Sequence, residues 1–376
     1  MKLPKSDLVN PSMLERLLEE GLTTSYKLFW FSGIFNEIIQ GKQIINYKQI
    51  ANRMIASAWY PLIEYKLNFG AVDQLYYIVT FVYNKYYKNV NIENCTTEDE
   101  LLKFLESIND KEVEDKIIKY IYRYVPTRLL SPFFSKELYG IKDYDKDKII
   151  EELSGKTDNA LYEVNTIQKQ ICINDNWFNY IIKNQSIISG WLNYKLIYFL
   201  QKRNPNVPAI PFKLKPPQKR DLNIAKKLWN KIFITTNIKD IYTSNEFCIS
   251  NFNRFGEISI DHFIPWSFVQ HDELWNLVPT FKNINSSKGN RLPDYNKYID
   301  RFCDLQYRAF DIIRLNKDYH KYLVDYINID KSLIIDSKIN YEVSENKFKE
   351  SIKSVINPLY QIAYNQGYDI WHNDIK

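Results

Sequence analysis

Between Gln201 and Arg220 the chain reads QKRNPNVPAIPFKLKPPQKR, and five of its fourteen prolines fall there. Proline lacks a backbone N–H and has a fixed φ, so no regular helix or central strand is expected to run through this stretch. It reads instead as an extended, semi-rigid connector. The 376 residues are thereby divided into parts large enough to bury cores of their own. The expected organisation is a helical targeting or scaffold domain at 1–203, a proline-rich basic linker at 204–220, a small α+β domain at 221–300 and a C-terminal helical segment at 301–376. That last segment is expected to pack on one of the two domains. The linker region carries Lys202, Arg203, Lys213, Lys215, Lys219 and Arg220. They read equally as a solvated connector and as a basic strap along a phosphate backbone.

The residues before the linker have helical signals. Asn10-Pro11 supplies an N-cap and a first-turn proline, with Gly21 as the stop. Phe29, Phe31, Ile34, Phe35, Ile38 and Ile39 stripe a second helix over Ser25–Gln40. A third is predicted from Tyr47 to Tyr60, ending before Pro61, and a fourth from Asp73 to Tyr87. Thr97-x-x-Glu100 is a capping box for a fifth. Lys111 to Val125 gives a sixth, stopped by Pro126, and Asp145 to Leu153 a short seventh. Leu161 to Ile173 alternates as a hairpin does, and Trp177 to Gln201 returns to helix with a break at Gly190. Ile45–Trp59, bearing Lys48 and Arg53, has the outline of the second helix of a helix-turn-helix, an outline any amphipathic helix shares. Aromatic residues at helical spacing read as core, and only exposed ones would be free to stack on bases.

After the linker, a helix from Leu222 carries Lys226, Lys227 and Lys231. An irregular hairpin is expected from Ile241-Tyr242 through Asn253-Arg254 to a strand at Ile258–Phe263. Beyond Pro293, helices are predicted at Tyr295–Leu315, Asp318–Tyr326 and Ser344–Asn357, with Pro358 kinking the last into Leu359–Gln366. The fold class expected is mainly α with a small α+β unit.

Net charge is +5, which tolerates a polyanionic partner without demanding one. Cys95, Cys172, Cys248 and Cys303 lie far apart with no C-x-x-C pair, so reduced thiols and a cytoplasmic location are expected. Cys248 and Cys303 alone cannot close a four-ligand zinc site, so no structural zinc is expected. No signal-peptide pattern opens the chain. No run approaches the ~18 apolar residues of a membrane span.

The chemistry-bearing residues converge on Gly256–Pro293, 38 of the 376 residues. Asp261-His262 ends one strand-like run, Asn276 lies in a second, and Asn285-Ser-Ser-Lys288 has helical spacing. Adjacent strand residues point to opposite faces, so Asp261 and His262 can face one point only where the strand bends or stops. Pro265 gives a reason for it to stop. Hydrolysing a phosphodiester needs an activated water and a counter-charge for the developing oxyanion. An imidazole near neutrality can take the proton, and a divalent cation can supply the charge.

This order and spacing resembles the HNH endonuclease motif (ββα-metal, or His-Me finger) in its D-H…N…N-x-x-K form, found also in the HNH domain of type II CRISPR effectors. The segments SYKLFWF and NRMIASAWYPL are similar to the N-terminal part of a group of bacterial HNH proteins. The resemblance implies a ββα-metal domain whose Asp261 and Asn285 ligate Mg²⁺ or Mn²⁺ through oxygen. It implies His262 as general base, Asn276 orienting its ring, and Lys288 on the helical face of Asn285, where it would meet phosphate. The form with histidine at the last metal position is not seen here, since Asn285 takes it, and because a neutral amide binds a cation less tightly than a carboxylate, a modest metal affinity is expected. Lys213, Lys215, Lys219, Arg220, Arg254, Lys282 and Arg291 are candidates for backbone contacts. The implied partner is DNA, with RNA left open because little in the motif reads a 2′-hydroxyl. A homodimer, or a partner protein of a bacterial restriction or antiviral defence system, is a further implication. A binding module with a vestigial site, and a partner-docking platform, stay open as alternatives. His271, between the two strand runs, reads as an exposed loop residue or as one near the metal's outer shell.

Overall fold

The computed structural model describes residues 2–18, 24–86, 97–217, 220–335, 338–339 and 342–373. The chain forms two compact units, Met1–Pro205 with Ile210–Pro217, and Asn206–Ala209 with Gln218–Lys376. Both are mainly α, and the second holds a small α+β element.

The first unit contains α1 (Pro11–Leu17), α2 (Tyr26–Ile39), α3 (Tyr47–Trp59), α4 (Leu75–Tyr86), α5 (Glu98–Ser107), α6 (Lys111–Ile117), α7 (Val125–Arg128), α8 (Lys146–Ser154), α9 (Asp175–Lys183) and α10 (Gln185–Arg203). Caps form where the side chains permit: Asn10 accepts from the Ser12 N–H at 3.2 Å, and Thr97 with Glu100 closes a reciprocal box. Strands β1 (Ile44–Asn46), β2 (Tyr162–Asn165) and β3 (Gln170–Ile173) make one antiparallel sheet in the order β1-β3-β2. The hairpin is as the alternation suggests; the three-residue β1 had no readable pattern. Helices α2 and α3 pack against each other, and Trp30, Ile34, Ile50 and Met54 on them have no solvent exposure. Gly33 permits this approach, since a Cβ there would lie 2.9 Å from Ile50 Cγ2.

Several expectations are corrected. Helix α3 ends at Trp59, before Pro61 as expected, but the chain does not leave helical geometry there: a π turn, Tyr60–Glu64, follows directly and holds the proline in its first turn. Pro126 likewise sits in the first turn of α7 rather than stopping α6. The break in the long helix falls at Asn184, whose Nδ2 bonds the Tyr180 carbonyl at 2.8 Å; α10 runs through Gly190. Arg53 is buried and ion-paired to buried Glu37, and α3 is core on nearly every side, so it presents no face to a DNA groove. In the linker, Ile210–Leu214 winds into a 3₁₀ turn that buries Ile210 and Lys213. Gly21, Tyr87, Cys95 and Lys219 lie outside the described residues.

The second unit begins with α11 (Asn223–Thr235). A single bridge, Lys239 to Glu246, is followed by α12 (Ile249–Phe255) where an irregular hairpin was expected. Strand β4 (Ile258–His262) pairs antiparallel with β5 (Leu277–Phe281), setting Asp261 opposite Val278 and His262 opposite Leu277. Between them lie α13 (Trp266–Val269) and a 3₁₀ turn, Leu274–Asn276. Helix α14 (Lys282–Lys288) packs on both strands, which completes a ββα element. The chain continues through β6 (Leu292–Pro293), α15 (Tyr295–Leu315), α16 (Val324–Ile327), the hairpin β7 (Ile334–Ile335) and β8 (Lys338–Ile339), α17 (Glu345–Asn365) and β9 (Ile370–Trp371). Pro358 does not kink α17 into two helices. It lies at an exposed position, where the carbonyl it leaves unbonded can meet water. Among the described residues no helix is long and apolar enough to cross a membrane.

Candidate active site

The side chains singled out at 261, 262, 276, 285 and 288 gather around the end of β4. The Asp261 carboxylate is 3% exposed. Its Oδ2 accepts from the Tyr242 hydroxyl at 2.5 Å, and its Oδ1 from Lys288 Nζ at 3.1 Å. Lys288, wholly buried on the last turn of α14, also donates to the His262 carbonyl at 2.7 Å. Burial pulls its ammonium below the ordinary lysine value, while the neighbouring Asp261 charge works to retain the proton. The Tyr242 phenol is held far above its usual range by burial and by Asp261, so it stays a donor. Lys288 therefore fastens a strand end and a carboxylate; it is not set out toward a phosphate.

His262 is 4% exposed, and its Nε2 lies 2.7 Å from Asp272 Oδ1. An ionised carboxylate only accepts, so Nε2 carries the hydrogen and Nδ1 keeps its lone pair. Burial lowers the imidazole's proton affinity; Asp272 and Asp261 oppose that and Arg220 reinforces it. Asn276 does not touch the ring. Fully buried at the end of the 3₁₀ turn, it accepts from the Ile264 N–H at 2.8 Å and donates to the Ile264 carbonyl at 2.9 Å. Its own carbonyl accepts from the Phe263 N–H. The side chain thus mimics a peptide and fixes the main chain just after His262, because the ladder has already ended there.

Asn285 Nδ2 donates to Ser259 Oγ at 2.8 Å and to the Ile260 carbonyl at 3.0 Å. Ser259 and Asp261 share a face of β4 by alternation, so Asn285 lies over the face bearing the carboxylate. With its nitrogen committed, its Oδ1 is the atom left to meet an ion. Among the described residues no group of three or more His, Cys, Asp or Glu side chains could hold a metal. One carboxylate and one amide oxygen form no closed cage. Such an oxygen pair would suit a hard divalent ion that keeps several waters and takes phosphate oxygens as ligands. The Lys288 ammonium on the same carboxylate competes with such an ion.

The basic candidates scatter. Arg220 is exposed, lies over the Trp266 ring at 5.0 Å and is close enough to act on His262. Lys282 is exposed on the first turn of α14. Arg291 bonds the carbonyls of Ser287 and Lys288, and Arg254 covers the Phe255 ring. Lys215 is exposed, whereas Lys213 has no accessible surface. His271 is half-buried with its ring against Trp275.

Sequence reading passed over three contributors. Asp272 follows His262 by ten residues and Tyr242 precedes Asp261 by nineteen, separations that no periodicity marks. The third is β9, which pairs in parallel with β6. Its Trp371 donates to Ser287 Oγ at 3.1 Å and meets the Tyr242 ring edge-on at 5.3 Å.

Residues 240–294 match the model of a family described as HNH endonuclease. No curated protein and no solved structure matches the chain. The matched span runs from the turn before Tyr242 to β6 and takes in Asp261, His262, Asp272, Asn276, Asn285 and Lys288. Residues 240–294 are a domain of the HNH endonuclease family.

Proposed function

We propose that the chain is a metal-dependent endonuclease that hydrolyses DNA phosphodiester bonds, with Asp261 and Asn285 holding Mg²⁺ or Mn²⁺ through oxygen. The observation that carries this reading is His262: a buried imidazole whose Nε2–H is spent on Asp272, leaving Nδ1 as a base within electrostatic reach of the Asp261 carboxylate. Nδ1 takes the proton of a water attacking phosphorus, Asp272 holds the ring, and Asn276 holds the backbone after it. Lys288 and Tyr242 hold the Asp261 carboxylate in place. The ion, when bound, supplies counter-charge for the phosphorane and the leaving 3′ oxygen. Such hydrolysis leaves 5′-phosphate and 3′-hydroxyl ends.

The helical first unit would select or position the target, and the site would belong to a restriction or antiviral-defence enzyme. Both extensions rest on the resemblance alone. Matched single-stranded and duplex DNA and RNA incubated with the protein and Mg²⁺ or Mn²⁺ test the substrate: cleavage of RNA only would overturn the DNA reading. Plating of phage on cells making wild-type or His262→Ala protein tests the role, and equal plating would remove it.

A further inference from the structure

We propose that the outer face of α10 is a platform for single-stranded nucleic acid, on which unpaired bases stack against Tyr194 and Tyr198. This deepens the nuclease reading and rests on it for its purpose; the surface itself lies wholly within the first unit. Tyr194 and Tyr198 are 51% and 60% exposed. Their rings are stacked, with centroids 6.4 Å apart and planes 23° from parallel. Other aromatic rings of this unit are exposed too, among them Tyr139 and Tyr144, but the exposed neighbours Tyr76 and Tyr77 meet edge-on, with planes 81° apart. Two parallel rings left in solvent one helical turn apart offer flat surfaces that intramolecular packing does not use.

The rest of the face fits the same occupant. Gly190, Tyr194, Tyr198 and Lys202 follow one another at four-residue spacing, in line along the helix. Gly190 is exposed, and a Cβ there would meet nothing within 4 Å, so packing inside the chain does not require glycine. A mid-helix glycine weakens a helix, and here it leaves a smooth approach beside the rings. Helix α10 carries Lys195, Lys202 and Arg203 and neither aspartate nor glutamate. Lys195 and Lys202 lie on or beside the stripe and Lys183 precedes the helix. An apolar protein partner would need no such field; a phosphate backbone does. Duplex DNA presents phosphates and base edges, whereas ring faces are offered only by unpaired bases.

The test uses full-length His262→Ala protein in EDTA, so that nothing is cut, and fluorescence anisotropy with labelled single strands of about 16 nucleotides and their duplexes. Single strands are expected to bind more tightly than duplexes. Tyr194→Ala with Tyr198→Ala should weaken single-strand binding at least ~10-fold, and the paired phenylalanine substitutions should retain it. Lys195→Gln with Lys202→Gln should reduce the slope of log K against log salt by about 1.4, at ~0.7 per phosphate. The proposal is overturned if the alanine pair, folded by circular dichroism, binds single strands as before, or if the phenylalanine pair loses binding as fully as the alanine pair. A co-purifying protein released by the alanine pair, with oligonucleotide affinity unchanged, would assign the face to a protein instead. Failure of the wild-type chain to cut any nucleic acid would defeat the nuclease reading and leave these binding results standing.

Discussion

The resemblance implied a hydrogen bond from Asn276 to the His262 ring, but it is Asp272 that bonds the ring, while Asn276 anchors the Ile264 peptide. Replacing Asp272 by asparagine keeps the shape but removes the charge that fixes which nitrogen is protonated. The rate constant kcat should then fall about 10–100-fold, as for other outer-shell partners, with KM little changed and Asp272→Glu partly restoring it. Steady-state kinetics on a defined oligonucleotide checks this; an equal loss in both aspartate variants, or a loss confined to KM, would count against it. Candidates were nameable at this scale because phosphodiester chemistry wants few groups. Directions were not. The three-residue spacing did place Lys288 on the face of Asn285, but that face turns toward β4, so the ammonium ends on Asp261. Asp272 sits in a loop, where no period predicts which way a side chain points.

Among the elements, caps and apolar stripes translated well, as α2, α5 and α15 show, because both signals depend on neighbours within a turn or two. Prolines were over-read. Pro61, Pro126 and Pro358 all lie within helical turns, since proline excludes only positions whose N–H is needed or whose ring clashes. The 201–220 run likewise admits a 3₁₀ turn, and the burial of Lys213 there is a long-range outcome that composition could not announce. Burial lowers the Lys213 ammonium to about 7, against ~10.4 for an exposed lysine. Below pH 7 folded and unfolded chains both hold the proton and the folded state bears the full cost. From pH 7 to ~10.4 the unfolded chain binds more protons, so this group makes stability rise with pH. Lys213→Met should therefore stabilise the first unit by up to about 4 kcal/mol at pH 7, at ~1.36 kcal/mol per unit, with the gain fading toward pH 10. Urea unfolding of both proteins at several pH values measures it, and a pH-independent difference would refute the assignment.

On the scale of the whole molecule, the nuclease domain is not self-contained. Gln306 on α15 donates to the Leu274 and Leu277 carbonyls, Asp325 accepts from the Leu274 N–H, and β9 closes on β6 beside α14. Two-residue strands far apart in the chain carry no pattern, so only the helical character of 301–376 was legible. Trp371 has no accessible surface, and Trp371→Ala should destabilise the second unit by about 3–5 kcal/mol. Hydrogen exchange should show protection lost at β4, β5 and α14 but kept in α2 and α3, and uniform loss in both units would argue otherwise. The central claim, hydrolysis by His262 beside a divalent ion held at Asp261 and Asn285, is tested most directly by following plasmid cleavage with and without Mg²⁺ in wild-type and His262→Ala protein. The account predicts cutting by the wild type only when the ion is present, and a rate at least ~100-fold lower for the variant with its fold intact. Equal cutting by the two proteins, or cutting that persists in excess EDTA, would contradict it.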